Sequence, residues 1–249
     1  MAKRKPSFAD SVVAVAQDLC RGVEQLDFSA VPWVYNPLRY AWKAHEQYLR
    51  RYARPSCRVV FLGMNPGPWG MAQTGIPFGE IAAVTGWLGI DAPIEKPARE
   101  HPKRPIEGLA CRRSEVSGRR LWGLFGEKFT SAEAFFDEFF VYNYCPLVFM
   151  EETARNVTPD KLPIALRREL ETICDQHLNR IINLFDPQWM IGVGGFAEKC
   201  ILRTLQRPDR EKHEVRVGRI LHPSPASPAA NRDWSSVASK QLRELQVWA

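Results

Sequence analysis

Four short runs of apolar residues stand out along the chain, each continuous rather than alternating and each bounded by Gly, Pro or Asn. Such runs are typical of strands that are buried on both faces of a sheet. The four predicted strands are residues 58–62, 139–142, 189–193 and 215–221.

Segments with a helical spacing of apolar positions lie between and around these runs. The predicted helices are residues 37–53, 132–138, 162–185, 196–205 and 235–247. Neighbouring parallel strands need a crossover connection, so strands that alternate with helices predict an α/β fold with a largely parallel sheet covered on both faces. Because ligands of such sheets bind beyond the carboxyl ends of the strands, candidate chemistry is sought there.

The length of 249 residues suits one large α/β domain, and we assign residues 1–249 to a single domain. Residues 91–118, rich in Pro, Arg and Lys, are predicted to form a surface insertion. No stretch approaches the ~20 apolar residues of a membrane span, and no apolar signal-peptide core follows the N-terminus. We therefore expect a soluble, intracellular protein with no membrane partner. We also expect a monomer, and the short N-terminus favours a bacterial cytoplasm or nucleoid over a nucleus.

Six cysteines are spread along the chain with no C-x-x-C pair, the spacing that suggests zinc or an iron–sulfur cluster. They are Cys20, Cys57, Cys111, Cys145, Cys174 and Cys200. We expect free, partly buried thiols and no metal centre.

The formal net charge of +6 fits a polyanionic partner such as DNA, but many proteins that never contact nucleic acid share it. The basic residues cluster at Arg50, Arg51 and Arg54, at residues 99–104, at Arg112 and Arg113, and at Arg119 and Arg120. Each cluster fits either a nucleic-acid contact or a solvated helix face, and the sequence does not decide between them.

Three polar segments follow the carboxyl ends of predicted strands: residues 63–68, 143–146 and 222–225. Glycines and prolines give the first an irregular, rigid path, and such a loop brings backbone N–H groups close to a ligand. In the third, alternating prolines hold the chain extended after His222, which favours a catalytic histidine over a structural one. Residues 192–195 also end a strand, but glycines at a strand-to-helix turn are weak evidence of phosphate binding and are assigned a packing role.

Together, these segments resemble the uracil-DNA glycosylase superfamily, and specifically the single-strand-selective monofunctional uracil-DNA glycosylase family. The resemblance extends from about Phe28 to Trp234 and is most specific in residues 63–80, 143–147 and 222–225. It implies a three-layer α/β/α sandwich around a central four-stranded parallel sheet. It also implies a cofactor-free DNA repair glycosylase that hydrolyses the N-glycosidic bond of uracil and related damaged bases, among them 5-hydroxymethyluracil or xanthine. Its substrates would be single- and double-stranded DNA, in which it leaves an abasic site.

An extruded pyrimidine needs an aromatic face to stack on and a paired donor and acceptor for its Watson–Crick edge. Phe78 supplies the ring, and the Asn143 amide supplies the pair if neighbouring hydrogen bonds hold it in one orientation. Met64 and Gly67 are predicted to shape the floor of the base pocket. The alternative for Phe78 is a core residue under the loop.

His222 and Asn65 are the predicted catalytic residues. Cleavage builds negative charge on the departing base and positive charge on the sugar, so a donor is needed at the base carbonyl. His222 is the candidate donor to O2 of the leaving base, in either protonation state. Asn65 lies where related families place an aspartate, and although asparagine is no general base, it can position the water. Neither main motif contains a lysine that could form a Schiff base, which favours a monofunctional enzyme.

The loop after His222 is predicted to bind the DNA backbone through Ser224, Pro225, Ala226, Ser227, Asn231 and Arg232. Vertebrate-like members of the resembled family tend to carry an arginine where this chain has Ala226. Opening of duplex DNA is therefore less expected than action on single strands or weakened pairs, where extrusion of the base costs less. Arg232 is a candidate substitute for the missing arginine.

Two other functions fit the same residues. A non-catalytic DNA-binding relative of the same fold would recognise damage without cutting, although the joint presence of Asn65, Phe78, Asn143 and His222 argues against it. A hydrolase of free nucleosides or nucleotides would act without a DNA strand and with little salt sensitivity.

Overall fold

The structure is a computed structural model that describes residues 5–208 and 214–248. Residues 1–4, 209–213 and 249, which the single-domain prediction includes, lie outside the described residues. Within the described ranges the strands are β1 (Trp33–Tyr35), β2 (Val59–Gly63), β3 (Phe139–Asn143), β4 (Val148–Met150), β5 (Asn156–Val157), β6 (Trp189–Val193) and β7 (Arg216–Ile220).

The α-helices of the described residues alternate with these strands over much of the chain. They are α1 (Phe8–Val23), α2 (Pro37–Tyr40), α3 (Trp42–Tyr52), α4 (Met71–Thr74), α5 (Val116–Lys128), α6 (Ala132–Phe136), α7 (Ile164–Phe185), α8 (Gly195–Leu205) and α9 (Ala230–Glu244). No helix in this part of the chain combines the length and the apolar character that crossing a membrane requires.

Four strands form the central sheet in the order β3-β2-β6-β7, and all of them are parallel. The four predicted strands are confirmed to within one residue at each end. Pairing of β2 with β3 continues past the sheet, because the backbone nitrogens of Tyr144 and Cys145 donate to the carbonyls of Gly63 and Met64, each at 2.9 Å. The loops after β2 and β3 therefore start side by side.

Aromatic side chains cover both faces of the sheet. On one face, the Phe140 ring of β3 lies 5.2 Å from Tyr48 of α3 and 4.9 Å from Phe185 of α7, measured between ring centroids. On the other, Phe61 of β2 lies 5.1 Å from Phe125 of α5. All five rings are buried, so the strand ends are where a ligand can reach the sheet. The predicted three-layer α/β/α sandwich is confirmed.

Three helices, α1, α4 and α5, and a small second sheet are absent from the predictions. α1 and α5 both have helical caps in the sequence: Ser7 forms a capping box with Asp10, and Glu115 caps α5. The second sheet is antiparallel, in the order β1-β4-β5, and its strands of two or three residues offer too few positions for an alternating pattern to show.

The prediction of a surface insertion at residues 91–118 is partly wrong. Ile106 and Cys111 are buried, and the last residues of the segment begin α5. The buried Gln73 amide of α4 holds the segment, because it donates to the Pro105 carbonyl at 3.0 Å and accepts from the backbone nitrogen of Glu107 at 2.8 Å. All six cysteines are free thiols, as predicted, and all six are buried.

Two buried histidines make the stability of the fold depend on pH. Burial lowers the pKa of His45 to about 4 and the pKa of His177 to about 3, whereas an exposed histidine titrates near pH ~6.5. Below that pH the unfolded chain binds more protons than the folded protein, so the free energy of unfolding is expected to fall as the pH decreases. Each histidine contributes a slope of about 1.4 kcal/mol per pH unit.

Urea denaturation between pH 7.5 and pH 5 measures this slope. The His177 ring is stacked on Tyr142 with centroids 5.4 Å apart, and His177→Phe keeps a ring in that place. This variant is expected to lose one of the two contributions. A slope equal to that of the unsubstituted protein would contradict the role given to His177.

Candidate active site

A cleft of about 270 Å³ opens at the carboxyl edge of the parallel sheet. Its lining residues are Met64, Asn65, Pro66, Gly67, Met71, Phe78, Glu115, Ser117, Asn143, Asn156, Thr158, His222, Ser224 and Pro225. Both predicted catalytic residues, all four predicted base-binding residues and two of the six predicted DNA-binding residues are among them. A wider cleft of about 480 Å³, lined mainly by α1, α2 and α3, contains none of the predicted residues.

His222 is held as a neutral hydrogen-bond donor. The backbone nitrogen of Ser224 donates to His222 Nδ1 at 3.0 Å, so this ring nitrogen carries no proton. Burial lowers the pKa of His222 below its ordinary value, which keeps the ring neutral near pH 7. The proton is therefore on Nε2, the ring nitrogen left to donate to a group bound in the cleft. Of the two protonation states allowed by the prediction, the structure selects the neutral one.

Two features outside the loop hold His222 in place. Gly194 has a φ of 92°, and a Cβ on it would lie 3.1 Å from Cβ of His222 and 3.2 Å from Cδ2. Arg120 donates from Nη1 to the Pro223 carbonyl at 2.8 Å. A Cβ on Gly192 would lie 2.5 Å from a backbone nitrogen of α8, so the packing role predicted for the glycines after β6 is confirmed.

The amide of Asn65 is oriented by the loop after β3. Its Nδ2 donates to the Leu147 carbonyl at 3.1 Å and, more weakly, to the Pro66 carbonyl at 3.4 Å. Because carbonyl oxygens only accept, these bonds identify which end of the amide is the nitrogen. The oxygen Oδ1 is therefore the atom of Asn65 that can accept a hydrogen bond from a water in the cleft.

Phe78 is held in an uncommon backbone conformation. Its φ of 53° lies in the left-handed region, which bulky residues seldom adopt and which active sites use more than other parts of a protein. The indole nitrogen of Trp122 donates to the Phe78 carbonyl at 3.0 Å, and only a glycine at position 118 leaves room for that carbonyl. The ring packs against the core and also lines the cleft, 6.3 Å from the His222 ring. Both roles considered for Phe78 are therefore compatible.

Asn143 is buried, with its amide between Gly63 and Met71. A Cβ on Gly63 would lie 2.2 Å from Oδ1 of Asn143 and 2.6 Å from the Phe78 ring, so only glycine admits both groups. Asn143 Nδ2 donates to the thioether sulfur of Met71 at 3.2 Å. Because a thioether accepts but does not donate, this bond sets the orientation of the amide that the sequence left open.

Sequence reasoning missed six residues that also line the cleft: Pro66, Met71, Glu115, Ser117, Asn156 and Thr158. Glu115 accepts from the backbone nitrogens of Ser117 and Gly118, and a Cβ on Gly70 would lie 2.8 Å from its Cγ. It thus joins the start of α5 to the loop that carries Asn65. Burial raises the pKa of Glu115, and the two N–H donors oppose this shift. A carboxylate directly before a helical segment is a signal that sequence reasoning could have used.

The remaining predicted DNA-binding residues lie beside the cleft rather than in it. The Asn231 amide is occupied within the protein: it accepts from Arg120 at 3.1 Å and donates to the Pro225 carbonyl at 2.8 Å. Ala226 and Arg232 are exposed, and Ser227 is half-buried. Asn231 therefore braces the loop after β7, whereas Arg232 is accessible to a phosphate.

The family model described as the Uracil DNA glycosylase superfamily matches residues 50–246. Over 224 residues the chain is 47% identical to the single-strand selective monofunctional uracil DNA glycosylase of Bos taurus, and the match covers 90% of this chain and 81% of the bovine protein. The protein of the same name from Mus musculus is 46% identical over 224 residues, which is 90% of this chain and 79% of the mouse protein.

A solved structure has a similar fold. The crystal structure of SMUG2 from Pedobacter heparinus gives a TM-score of 0.66 at 19% sequence identity, over 94% of this chain and 97% of that one. At this identity the likeness concerns the fold alone.

Proposed function

The chain belongs to the uracil DNA glycosylase superfamily, and from this membership we propose that it hydrolyses the N-glycosidic bond of uracil in DNA as a monofunctional repair enzyme. The product is an abasic site. One observation carries the proposal: a single cleft is lined by Asn65, Phe78, Asn143 and His222. Three of them lie at the ends of different strands, and Phe78 lies in the loop after β2.

The first chemical step is the departure of the base. The bond between C1′ of the deoxyribose and N1 of uracil breaks, and its electron pair leaves with the base, which delocalises the charge onto O2. Nε2–H of His222 donates to that oxygen as the charge develops. Because the ring is already neutral and held by Ser224 and Gly194, no reorganisation is needed during the reaction.

Capture of the sugar by water completes the hydrolysis. Oδ1 of Asn65 accepts a hydrogen bond from the attacking water and so positions it. Because an amide oxygen is a very weak base, Asn65 does not remove the water proton. The water oxygen bonds to C1′, its surplus proton passes to solvent, and the uracil anion is protonated in turn. A positioned water suffices because the sugar cation is strongly electrophilic.

The orientation of Asn143 suits uracil rather than cytosine. Its Nδ2 can donate its second proton to O4, and its Oδ1 can accept from N3–H, whereas cytosine presents the opposite pattern at both positions. A mismatched pair leaves buried polar groups without partners, which disfavours binding of cytosine.

Met71→Leu keeps the apolar volume of the side chain but removes the sulfur acceptor. Because a weak hydrogen bond contributes ~0.5–1 kcal/mol, the rate of uracil release is expected to fall by about 2–5-fold. Loss of the sulfur acceptor leaves the Asn143 amide without the bond that orients it. Single-turnover kinetics with uracil in a single-stranded oligonucleotide measure the effect. Met71→Gln, which restores an acceptor in a side chain of similar length, serves as the comparison. Equal rates in Met71→Leu and the unsubstituted protein would show that the amide is oriented by other means.

We extend the proposal to 5-substituted and deaminated bases such as 5-hydroxymethyluracil and xanthine. Support comes from Gly67, where a Cβ would meet nothing closer than Glu115 Oε1 at 4.0 Å, so this side of the cleft is open. We propose that single strands are better substrates than duplexes, because the exposed tip of the last loop carries Ala226 rather than a side chain able to wedge between bases.

We further propose that the protein acts as a monomer inside the cell. Six free thiols suit a reducing compartment.

Incubation with uracil-containing oligonucleotides, followed by alkaline cleavage of abasic sites, tests the function. Cleavage is expected with single strands and, more slowly, with duplexes, and a panel with 5-hydroxymethyluracil and xanthine defines the range of bases. Binding of uracil-containing DNA without cleavage would instead support a non-catalytic damage-binding protein. Efficient hydrolysis of free deoxyuridine would support a nucleoside hydrolase.

A further inference from the structure

Two guanidinium groups lie against one indole ring beside the cleft. The guanidinium carbon of Arg104 is 4.8 Å from the centroid of the Trp69 ring, and that of Arg113 is 4.9 Å from it. Arg113 is exposed, and Arg104 and Trp69 are half-buried. A guanidinium that packs on an aromatic face keeps its N–H groups available at its edge, where they can bind a phosphate in a bidentate manner.

The three residues come from segments that also line the cleft. Trp69 lies two residues after Gly67, and Arg113 lies two residues before Glu115. Arg104 donates from Nε to the Ala154 carbonyl at 3.3 Å, and Ala154 lies two residues before Asn156. Two residues span at most ~7 Å of chain, so the cluster lies at the rim of the cleft.

The acidic surroundings of this cluster differ from those of Arg50 and Arg51. Arg50 forms ion pairs with Asp10 and Glu46, and Arg51 forms one with Glu133, so two of the three arginines of that predicted basic cluster are neutralised within the protein. Among the ion pairs found within residues 5–208 and 214–248, none includes Arg104 or Arg113. Two cations that pack on one ring repel each other, and a bound anion offsets that repulsion.

We infer that Trp69, Arg104 and Arg113 form a phosphate-binding rim that holds the DNA strand next to the extruded base. The inference rests on the proposed function for its ligand. The loop after β7 carries Ala226, without a charged side chain, at its tip. In this inference the positive charge that binds a flexible strand lies instead beside the loop after β2. Of the two interpretations open for the basic clusters, the nucleic-acid contact applies here.

The test is the salt dependence of binding to a uracil-free single-stranded oligonucleotide, followed by fluorescence anisotropy. Each phosphate contact contributes about 0.7 to the slope of log K against log salt on single strands. The double variant R104Q/R113Q is therefore expected to lower the slope by about 1.4 and to weaken binding several-fold at low salt. In uracil release, the DNA concentration that gives half the maximal rate is expected to rise by more than the maximal rate falls.

Arg216→Gln is the matched control. Arg216 lies 5.6 Å from the Trp189 ring, but both residues begin strands of the parallel sheet and so lie at the edge opposite the cleft. The control removes a guanidinium from an indole without touching the rim, and its slope is expected to stay within about 0.3 of that of the unsubstituted protein. An equal loss of slope in R216Q and in R104Q/R113Q would overturn the inference. It would mean that DNA responds to the overall positive charge of the protein and not to the rim.

Trp69→Leu separates phosphate binding from base stacking. The variant keeps both charges but not the ring that holds them, so weaker binding is expected there as well as in the double arginine variant. Weaker binding in Trp69→Leu alone, with an unchanged slope in R104Q/R113Q, would mean that the indole stacks on a base and would overturn the inference.

Failure of the rim and failure of the proposed function give different results. If the unsubstituted protein releases uracil and the double variant keeps its slope, the rim is wrong and the function stands. If the slope falls as expected but the unsubstituted protein releases no uracil, the rim stands as a DNA-binding site and the proposed enzymatic function is wrong.

Discussion

Alanine in place of His222 is expected to lower the single-turnover rate of uracil release by about 10²–10³-fold, the usual effect of removing a donor from a developing oxyanion. The Nε2–H group is the donor placed for O2, because Nδ1 is already occupied by the backbone nitrogen of Ser224. Binding of uracil-free DNA is expected to change far less, since the charge on O2 arises only as the bond to the sugar breaks.

The expected pH profile follows from the same contacts. Burial lowers the pKa of His222 below that of an exposed histidine, so the ring is neutral near and above pH ~6.5. The rate of uracil release is therefore expected to show no inflection from His222 between pH 6.5 and pH 8.5. An inflection near pH ~6.5 that disappears in His222→Gln would mean that the imidazolium is the working form.

His101 provides the matched control for His222. Its Nδ1 accepts from the backbone nitrogen of Lys103 at 3.0 Å, the same arrangement of a ring nitrogen and the amide two residues later, but it lies outside the cleft lining. The rate per folded molecule is expected to be retained in His101→Ala, with the folded fraction measured by circular dichroism. An equal loss in both variants would mean that the effect at position 222 is structural.

The fold and the position of the site follow from local signals in the sequence. The four central strands are continuous apolar runs that end at polar segments, and parallel strands bring their carboxyl ends to one edge of the sheet. Asn143 is the last residue of β3. Asn65 lies two residues after the end of β2, and His222 lies two residues after the end of β7. Their convergence was predictable without coordinates.

The orientation of the functional groups was not predictable, because it depends on contacts distant in sequence. Leu147 lies 82 residues from the Asn65 amide that it orients, and Met71 lies 72 residues from Asn143. Arg120 is 103 residues from the Pro223 carbonyl that it binds. Periodicity reports the element to which a residue belongs, but such bonds exist only when the elements pack together.

Asn65, Asn143 and His222 are held in the same way. Each side chain has two polar atoms, and a hydrogen bond within the protein occupies one of them. The occupied atoms are Nδ1 of His222, Nδ2 of Asn65 and Nδ2 of Asn143. The other end is thereby fixed as a donor or an acceptor before any ligand arrives. In the proposed mechanism, selectivity for uracil and stabilisation of the leaving base both depend on this preorganisation rather than on a strong acid or base.

Alanine in place of Asn65 is expected to lower uracil release by about 10²-fold, because misplacement of a reactant by ~1 Å is enough for a loss of that size. The substitution removes Oδ1, the acceptor that positions the water, together with the bond to Leu147 that fixes it. Single-turnover kinetics on a single-stranded oligonucleotide at saturating protein measure the chemical step without a contribution from binding. A rate equal to that of the unsubstituted protein would remove Asn65 from the mechanism.

Asn65→Asp distinguishes positioning of the water from removal of its proton. An aspartate at this position has no N–H for the Leu147 carbonyl and places an oxygen against it, which raises the pKa of the new carboxyl group. Its rate is expected to exceed that of Asn65→Ala and to fall as the pH decreases through that pKa, as a general base requires. The unsubstituted protein is expected to show no such dependence on this residue, because the Asn65 amide does not titrate. If the aspartate variant were as slow as Asn65→Ala at every pH, the bond to Leu147, and not the acceptor alone, would be what holds the water in line with C1′.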